Sequence, residues 1–217
     1  MSKYNQGILG PFSGKVGTVV GSFWKGRFVM RSRPTHMTNP NTPAQQAQRA
    51  IFSLVSSNLA PLRPAVNAGF AVRGDIENVT PMNVAMQVNM EQAVTGSGTF
   101  VQIDWNRFMV SGGTLLNVEA PTATAAANHA INVSWTNNAG VDSDVLDNDQ
   151  VLMAVYNITR KSATFDLVTA CRDDQSAVLH VPSMWVGDTC KVFIFTRSED
   201  KTRTSPSVMC GSVVITA

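Results

Sequence analysis

A chain of 217 residues with 44% hydrophobic and 15% charged residues is globular and poor in charge, which excludes a disordered chain. The near-neutral total of +2 conceals a polarised molecule: nine basic and no acidic residues precede Asp75, and eight basic and fifteen acidic ones make up the remainder, a formal balance of +9 against −7. No apolar run reaches the ~18 residues of a membrane span, and the opening MSKYNQGILG holds no run of signal-peptide length, so the expectation is a cytoplasmic protein with no membrane partner.

In chain order, glycines at 10, 14, 17, 21 and 26 separate short β-favouring pieces at 15–20, 22–24 and 27–31. This predicts two or three short strands joined by tight turns. Phe28 and Met30 alternate with Arg27, Val29 and Arg31, so one face is apolar and the other largely basic. A ribbon this small is marginal alone and must lean on the rest of the chain or on a neighbouring subunit. A Pro/Asn/Thr connector follows at 34–42. Thr42-Pro43 is a helix start, and Ala47, Ile51, Leu54, Val55 and Leu59 form its apolar stripe. Pro61 and Pro64 end or kink that helix, with further helical turns over 64–72. Thr80-Pro81 starts a second helix with a stripe of Met82, Ala85, Met86, Met90 and Ala93, closed by Gly96.

From Phe100 the period becomes two. Residues 100–105 and 107–110 read as strands, and 131–135, 150–158, 164–169, 177–181, 189–196 and 208–215 follow at the spacing of a sandwich. The predicted fold class is therefore α+β and β-dominated. A Gly-rich β-ribbon with helices, a basic assembly module, spans 1–114, and an immunoglobulin- or fibronectin-like β-sandwich spans 115–217.

The chemistry-bearing residues point away from an enzyme. Gly10-Pro-Phe-Ser-Gly14-Lys15 has three residues between its glycines where a phosphate loop has four, and Val16 where Ser or Thr would bind magnesium. His36, His129 and His180 stand apart from one another and from cysteine. Cys171, Cys190 and Cys210 are odd in number, widely spaced, and read as free, mostly buried thiols of a reducing compartment. Asp142, Asp144, Asp147 and Asp149 cluster without the glycine and glutamate of a calcium loop and read as a solvated acidic loop. No catalytic residue, metal site, cofactor or small-molecule substrate is expected.

Basic residues beside aromatics leave the N-terminal ribbon as the candidate partner-binding surface, through Lys15, Trp24, Lys25, Arg27, Arg31 and Arg33. One reading is structural: cations meet carboxylates and carbonyls of another copy or of a companion structural protein, so the chain is a homo-oligomer or part of a larger assembly. In that reading the acidic loop at 142–149 is one surface such a ribbon could meet. The other is nucleic acid, with cations on phosphates and aromatics on bases, although no recognised nucleic-acid motif accompanies it.

Two resemblances add to this. Residues 115–217 resemble a fibronectin type III or immunoglobulin-like domain: Pro121 precedes a first strand, Trp135 ends a second, and Met184-x-x-Gly187-Asp-Thr-Cys190-x-Val192 is similar to the passage into the sixth strand, with Cys190 in place of the corner tyrosine. Such a resemblance implies contacts or spacing rather than catalysis. The opening, with Lys3-Tyr-Asn, Gly7-Ile-Leu-Gly10, Phe12-Ser-Gly-Lys-Val-Gly17, Trp24-Lys-Gly26 and Met30-Arg-Ser-Arg-Pro34, resembles a family of uncharacterised bacterial proteins. The pattern from Ser13 to Phe52 is also similar to a motif of phage and prophage structural regions, which implies a virion or assembly protein.

Overall fold

The structure is a computed structural model and describes residues 3–4, 10–34, 36 and 40–216. The chain divides into two compact units, Met1–Thr42 and Pro43–Ala217.

The first unit is a four-stranded antiparallel sheet of β1 (Lys3–Tyr4), β2 (Phe12–Val16), β3 (Val19–Trp24) and β4 (Arg27–Ser32), in that order. Two-residue turns join the last three strands. Gly17 takes φ +56° in the first, and Lys25 and Gly26 take φ 43° and 80° in the second. Positive φ at both central residues is the type I′ geometry whose twist matches a hairpin. β3 and β4 pair over six consecutive residues, from Val19 opposite Ser32 to Trp24 opposite Arg27.

The second unit begins with helices. α1 (Pro43–Leu59) starts at the expected proline; the prolines at 61 and 64 separate it from α2 (Arg63–Gly69), and α3 (Ala71–Ile76) follows after a break at Phe70. α4 (Pro81–Gln92) is capped by Thr80, whose hydroxyl accepts from the Asn83 amide at 3.3 Å. Its buried face is Val84, Ala85, Val88 and Asn89, while Met82, Met86 and Met90 are only partly buried at the margin. The methionine stripe is thus a rim and not the core face, and Gly96 belongs to the hairpin of β5 (Val94–Ser97) and β6 (Phe100–Ile103).

Residues 107–110 are not a strand. Phe108 and Val110 are buried in a core that also holds helix residues and Phe193, and the local backbone is held by side chains. The Asn89 amide accepts from the Met109 N–H at 2.8 Å and donates to the Met109 carbonyl at 2.8 Å, replacing a ladder with a side-chain clamp.

Seven strands form the sandwich: β7 (Glu119–Ala126), β8 (Ala130–Thr136), β9 (Gln150–Asn157), β10 (Ser162–Cys171), β11 (Ser176–His180), β12 (Thr189–Arg197) and β13 (Val208–Val214). They make a three-stranded sheet, β11-β8-β7, and a four-stranded sheet, β10-β9-β12-β13. One core lies between the sheets and includes Ile131, Val133, Trp135, Val151, Met153, Val155, Val192 and Ile194. A second core joins the other face of β9 and β12, through Leu152, Ala154, Tyr156, Phe193 and Phe195, to Val55, Leu59, Val66, Phe70 and Val84 of the helices. The unit is therefore three layers, helices on sheet on sheet. The position 114/115 falls inside it. Around that position the Ser111 hydroxyl, with one proton to donate, lies 2.6 Å from the Ser205 carbonyl and 3.0 Å from the Gly69 carbonyl, and the Leu115 amide donates to the Thr204 carbonyl at 3.0 Å.

Candidate functional site

The register of the N-terminal sheet decides which side chains share a face, because residues directly opposite across an antiparallel pair point the same way. Lys15 lies opposite Val20, and Val20 opposite Arg31, so these three form one row across the sheet. Two residues along β3 and β4 come Ser22 and Val29, and two further come Trp24 and Arg27. Lys15, Trp24, Arg27 and Arg31 thus stand on one face. The opposite face carries Val16 and Val19, then Gly14, Gly21 and Met30, then Phe23 and Phe28. The rings of Phe23 and Phe28 meet at 4.8 Å between centroids, a tilted pair of the favoured kind.

Gly21 is needed at its position: a Cβ there would lie 2.3 Å from the Phe12 carbonyl oxygen and 2.8 Å from the Phe12 ring. The Phe12 side chain therefore lies across the apolar face where a larger residue would project.

Four of the six expected partner-binding residues are gathered by this face, and two are not. Lys25 occupies the first turn position, at the tip of the hairpin. Arg33 lies just past β4, where its amide donates to the Thr18 carbonyl at 2.7 Å; with Gly17, Thr18 and Pro34 it lines a cavity of about 280 Å³ at the other end of the hairpin. Trp24 is 57% exposed on the basic face, and Phe23, Phe28 and Met30 are 57%, 56% and 70% exposed on the apolar one. Single exposed hydrophobes are ordinary; here Phe23, Phe28 and Met30 form a contiguous set on one small sheet.

The acidic loop at 142–149 is not simply solvated. Asp149 is buried and pairs with the fully buried Arg172 at 3.0 Å. Arg172 also donates to Asn138 Oδ1 and, at 3.0 Å, to the Leu116 carbonyl, while its own carbonyl accepts from the Trp135 indole at 2.9 Å. Asp144 pairs with Arg203, and Asp147 accepts from the Asn137 amide at 2.8 Å. Among the described residues no group of three or more His, Cys, Asp or Glu is placed to hold a metal ion.

None of the three thiols is activated. Burial pushes Cys190 up to about 11 and Cys210 up to about 12. Cys171 is raised by burial and by the nearby carboxylates of Asp174, Glu199 and Asp173, so all three favour the protonated form.

A groove of about 490 Å³ between α1, α2 and α4 is lined by Phe52, Ser56, Ala60, Arg63, Met82, Asn83 and Met86. Its lining holds a serine but no base to activate it, so the groove offers apolar contact and one cation. Among the described residues no helix is long and apolar enough to cross a membrane.

No curated protein matches the chain. A family model does, over residues 11–211, which takes in most of the ribbon, the helices and all but the last strand's end; the chain belongs to that family, a family of unknown function (DUF6266).

Proposed function

We propose that this is a non-enzymatic structural or assembly protein, a virion component of phage or prophage type, whose basic N-terminal ribbon docks on another copy or on a companion structural protein. The observation that carries this reading is the convergence of Lys15, Arg27 and Arg31 beside Trp24 on one exposed face. Cations flanking an aromatic anchor suit a surface of carboxylates and carbonyls. The charge split of the chain, +9 before Asp75 and −7 from there on, supports an acidic partner surface on a second copy. The likeness of residues 13–52 to phage structural-region motifs supports the virion setting. A head-to-tail contact of this kind builds rings or filaments rather than two-fold dimers.

A second reading places nucleic acid on the same face, and the exposed Trp24 beside Arg27 is the observation that favours it. The experiment is size exclusion with light scattering, at low and high salt, on wild type and on Lys15→Glu/Arg27→Glu/Arg31→Glu. Like charges facing each other at a desolvated contact cost on the order of several kcal/mol. The expected result is loss of the higher oligomer or complex with the second unit still folded. A wild-type monomer at all concentrations that binds DNA with a steep salt slope overturns assembly and promotes the second reading.

A further inference from the structure

β4 is an edge strand. Among the described residues it pairs only with β3, and all six of its residues are exposed. The turn fixes which of its backbone groups are free. In a two-residue hairpin the flanking pair, here Trp24 and Arg27, is the hydrogen-bonded one. Counting along the strand, Arg27, Val29 and Arg31 turn their amides and carbonyls toward β3. The Arg33 amide, which donates to the Thr18 carbonyl, has the same parity. Phe28, Met30 and Ser32 therefore turn theirs outward. The pairing with β3 has no register shift, and β4 contains no proline, so the edge has neither of two common guards against strand addition.

The side chains along that edge specify what fits. An added strand continues both faces of the sheet. Residues opposite Phe28 and Met30 must be apolar, and residues opposite Arg27 and Arg31 must be acidic. We infer that β4 receives an extended strand of a companion protein in which two carboxylates four residues apart bracket two apolar residues, the pattern acid–apolar–any–apolar–acid. This rests on the docking function proposed above and names its mode and its partner's chemistry. Main-chain hydrogen bonds to Phe28, Met30 and Ser32 supply affinity, and the alternating side chains supply selectivity. A second copy of β4 is a poor occupant. A two-fold pairing centred on Val29 sets Arg27 opposite Arg31 of the second copy twice, on one face, and like charges directly opposite are destabilising. No segment of the chain itself carries the required pattern.

The test uses the full-length protein and a synthetic peptide, Thr-Glu-Val-Thr-Val-Glu-Thr, labelled for fluorescence anisotropy. Its controls are a scrambled peptide of the same composition and one with lysine for both glutamates. The decisive variant is Met30→Pro, which removes one outward amide and leaves every cation and every β3–β4 bond in place. Circular dichroism, and the Phe23 and Phe28 ring signals in NMR, check that its ribbon is folded. Tenfold or greater weakening by Met30→Pro and by scrambling is expected, with slowed exchange of the Phe28, Met30 and Ser32 amides on peptide binding. Equal binding of the scrambled peptide, or unchanged binding to Met30→Pro, overturns strand addition and leaves docking by charge intact. Peptide binding that also survives Lys15→Glu/Arg27→Glu/Arg31→Glu overturns both. Protection of the same amides without peptide, rising with protein concentration, overturns the companion strand in favour of a second copy.

Discussion

Replacing Asp149 with alanine tests the claim that the loop at 142–149 is anchored from inside. The Asp149 and Arg172 side chains are 1% and 0% exposed and meet at 3.0 Å. Without the carboxylate the guanidinium keeps only neutral acceptors, Asn138 Oδ1 and the Leu116 carbonyl, and stays buried as a charge. The Leu146 amide, which donates to Asp149 Oδ2 at 3.1 Å, loses its acceptor as well. Breaking a buried pair from one side costs about 3–5 kcal/mol, and in a unit of this size that lowers Tm by about 10 °C. The pair is also imperfect, because Asp149 Oδ1 and Arg172 Nε have no hydrogen-bond partner among the described residues. The double variant Asp149→Leu/Arg172→Met removes both charges, so it should recover most of the loss. Urea unfolding followed by tryptophan fluorescence is the assay, since Trp135 and Trp185 lie in the core between the sheets and the Trp135 indole donates to the Arg172 carbonyl. A single-variant cost below about 1 kcal/mol, or a double variant as unstable as the sum of two singles, refutes the reasoning.

The remaining predictions concern acid and cleavage. Asp188 is held below the usual carboxylate range by hydrogen bonds from Asn157 at 2.9 Å and Arg160 at 2.5 Å, and Asp200 is lowered to about 2 by the Ser198 hydroxyl and by the Thr202 amide and hydroxyl. Both folded values lie below the unfolded ones, so their stabilisation is present above about pH 4 and is lost as pH falls toward about 2. The urea midpoint should drop across that window and drop less in Asp188→Asn; a midpoint that rises on acidification contradicts the sign. Limited proteolysis with mass spectrometry should cut first between Ser32 and Pro43 and leave a resistant fragment running from near Pro43, as the two compact units imply. A first cut within 111–130 would instead support a boundary at 114/115.

The sandwich was legible because its strands carry a period-two pattern with turn residues between them. The helix starts were legible from two Thr-Pro pairs, at 42–43 and 80–81. What the pattern hid was the third layer. Residues 151–156 of β9 and 192–195 of β12 are unbroken apolar runs, VLMAVY and VFIF, with no polar alternate. That is the signature of strands covered on both faces, and it announces that something must pack on the far side of the four-stranded sheet. Residues 107–110 misled in the other direction. Phe108 and Val110 alternate as a strand would, but they are core residues of a loop held by Asn89 and Ser207. The Arg172–Asp149 pair had no signal at all, because its 23-residue separation matches no helical or strand spacing.

The N-terminal sheet reads differently from the rest because its pattern is complete while its burial is not. Phe12 lies over Gly21, and Phe23 pairs with Phe28, yet the aromatic pair remains more than half exposed. A single small sheet with an apolar face gains little unless a second layer covers it, since burial of that face is what offsets the entropy of ordering the strands. The basic face has the opposite need: Lys15, Arg27 and Arg31 are best served by anions, and packing them against an apolar layer would strand charge away from water. No uniform surface, apolar or acidic, satisfies both faces. A strand added along β4 does begin to satisfy both, because its side chains alternate between the faces as those of β4 do. It also gives the outward amides of Phe28, Met30 and Ser32 their acceptors. The chemistry of the two faces and the geometry of the edge therefore select the same kind of partner, one that alternates.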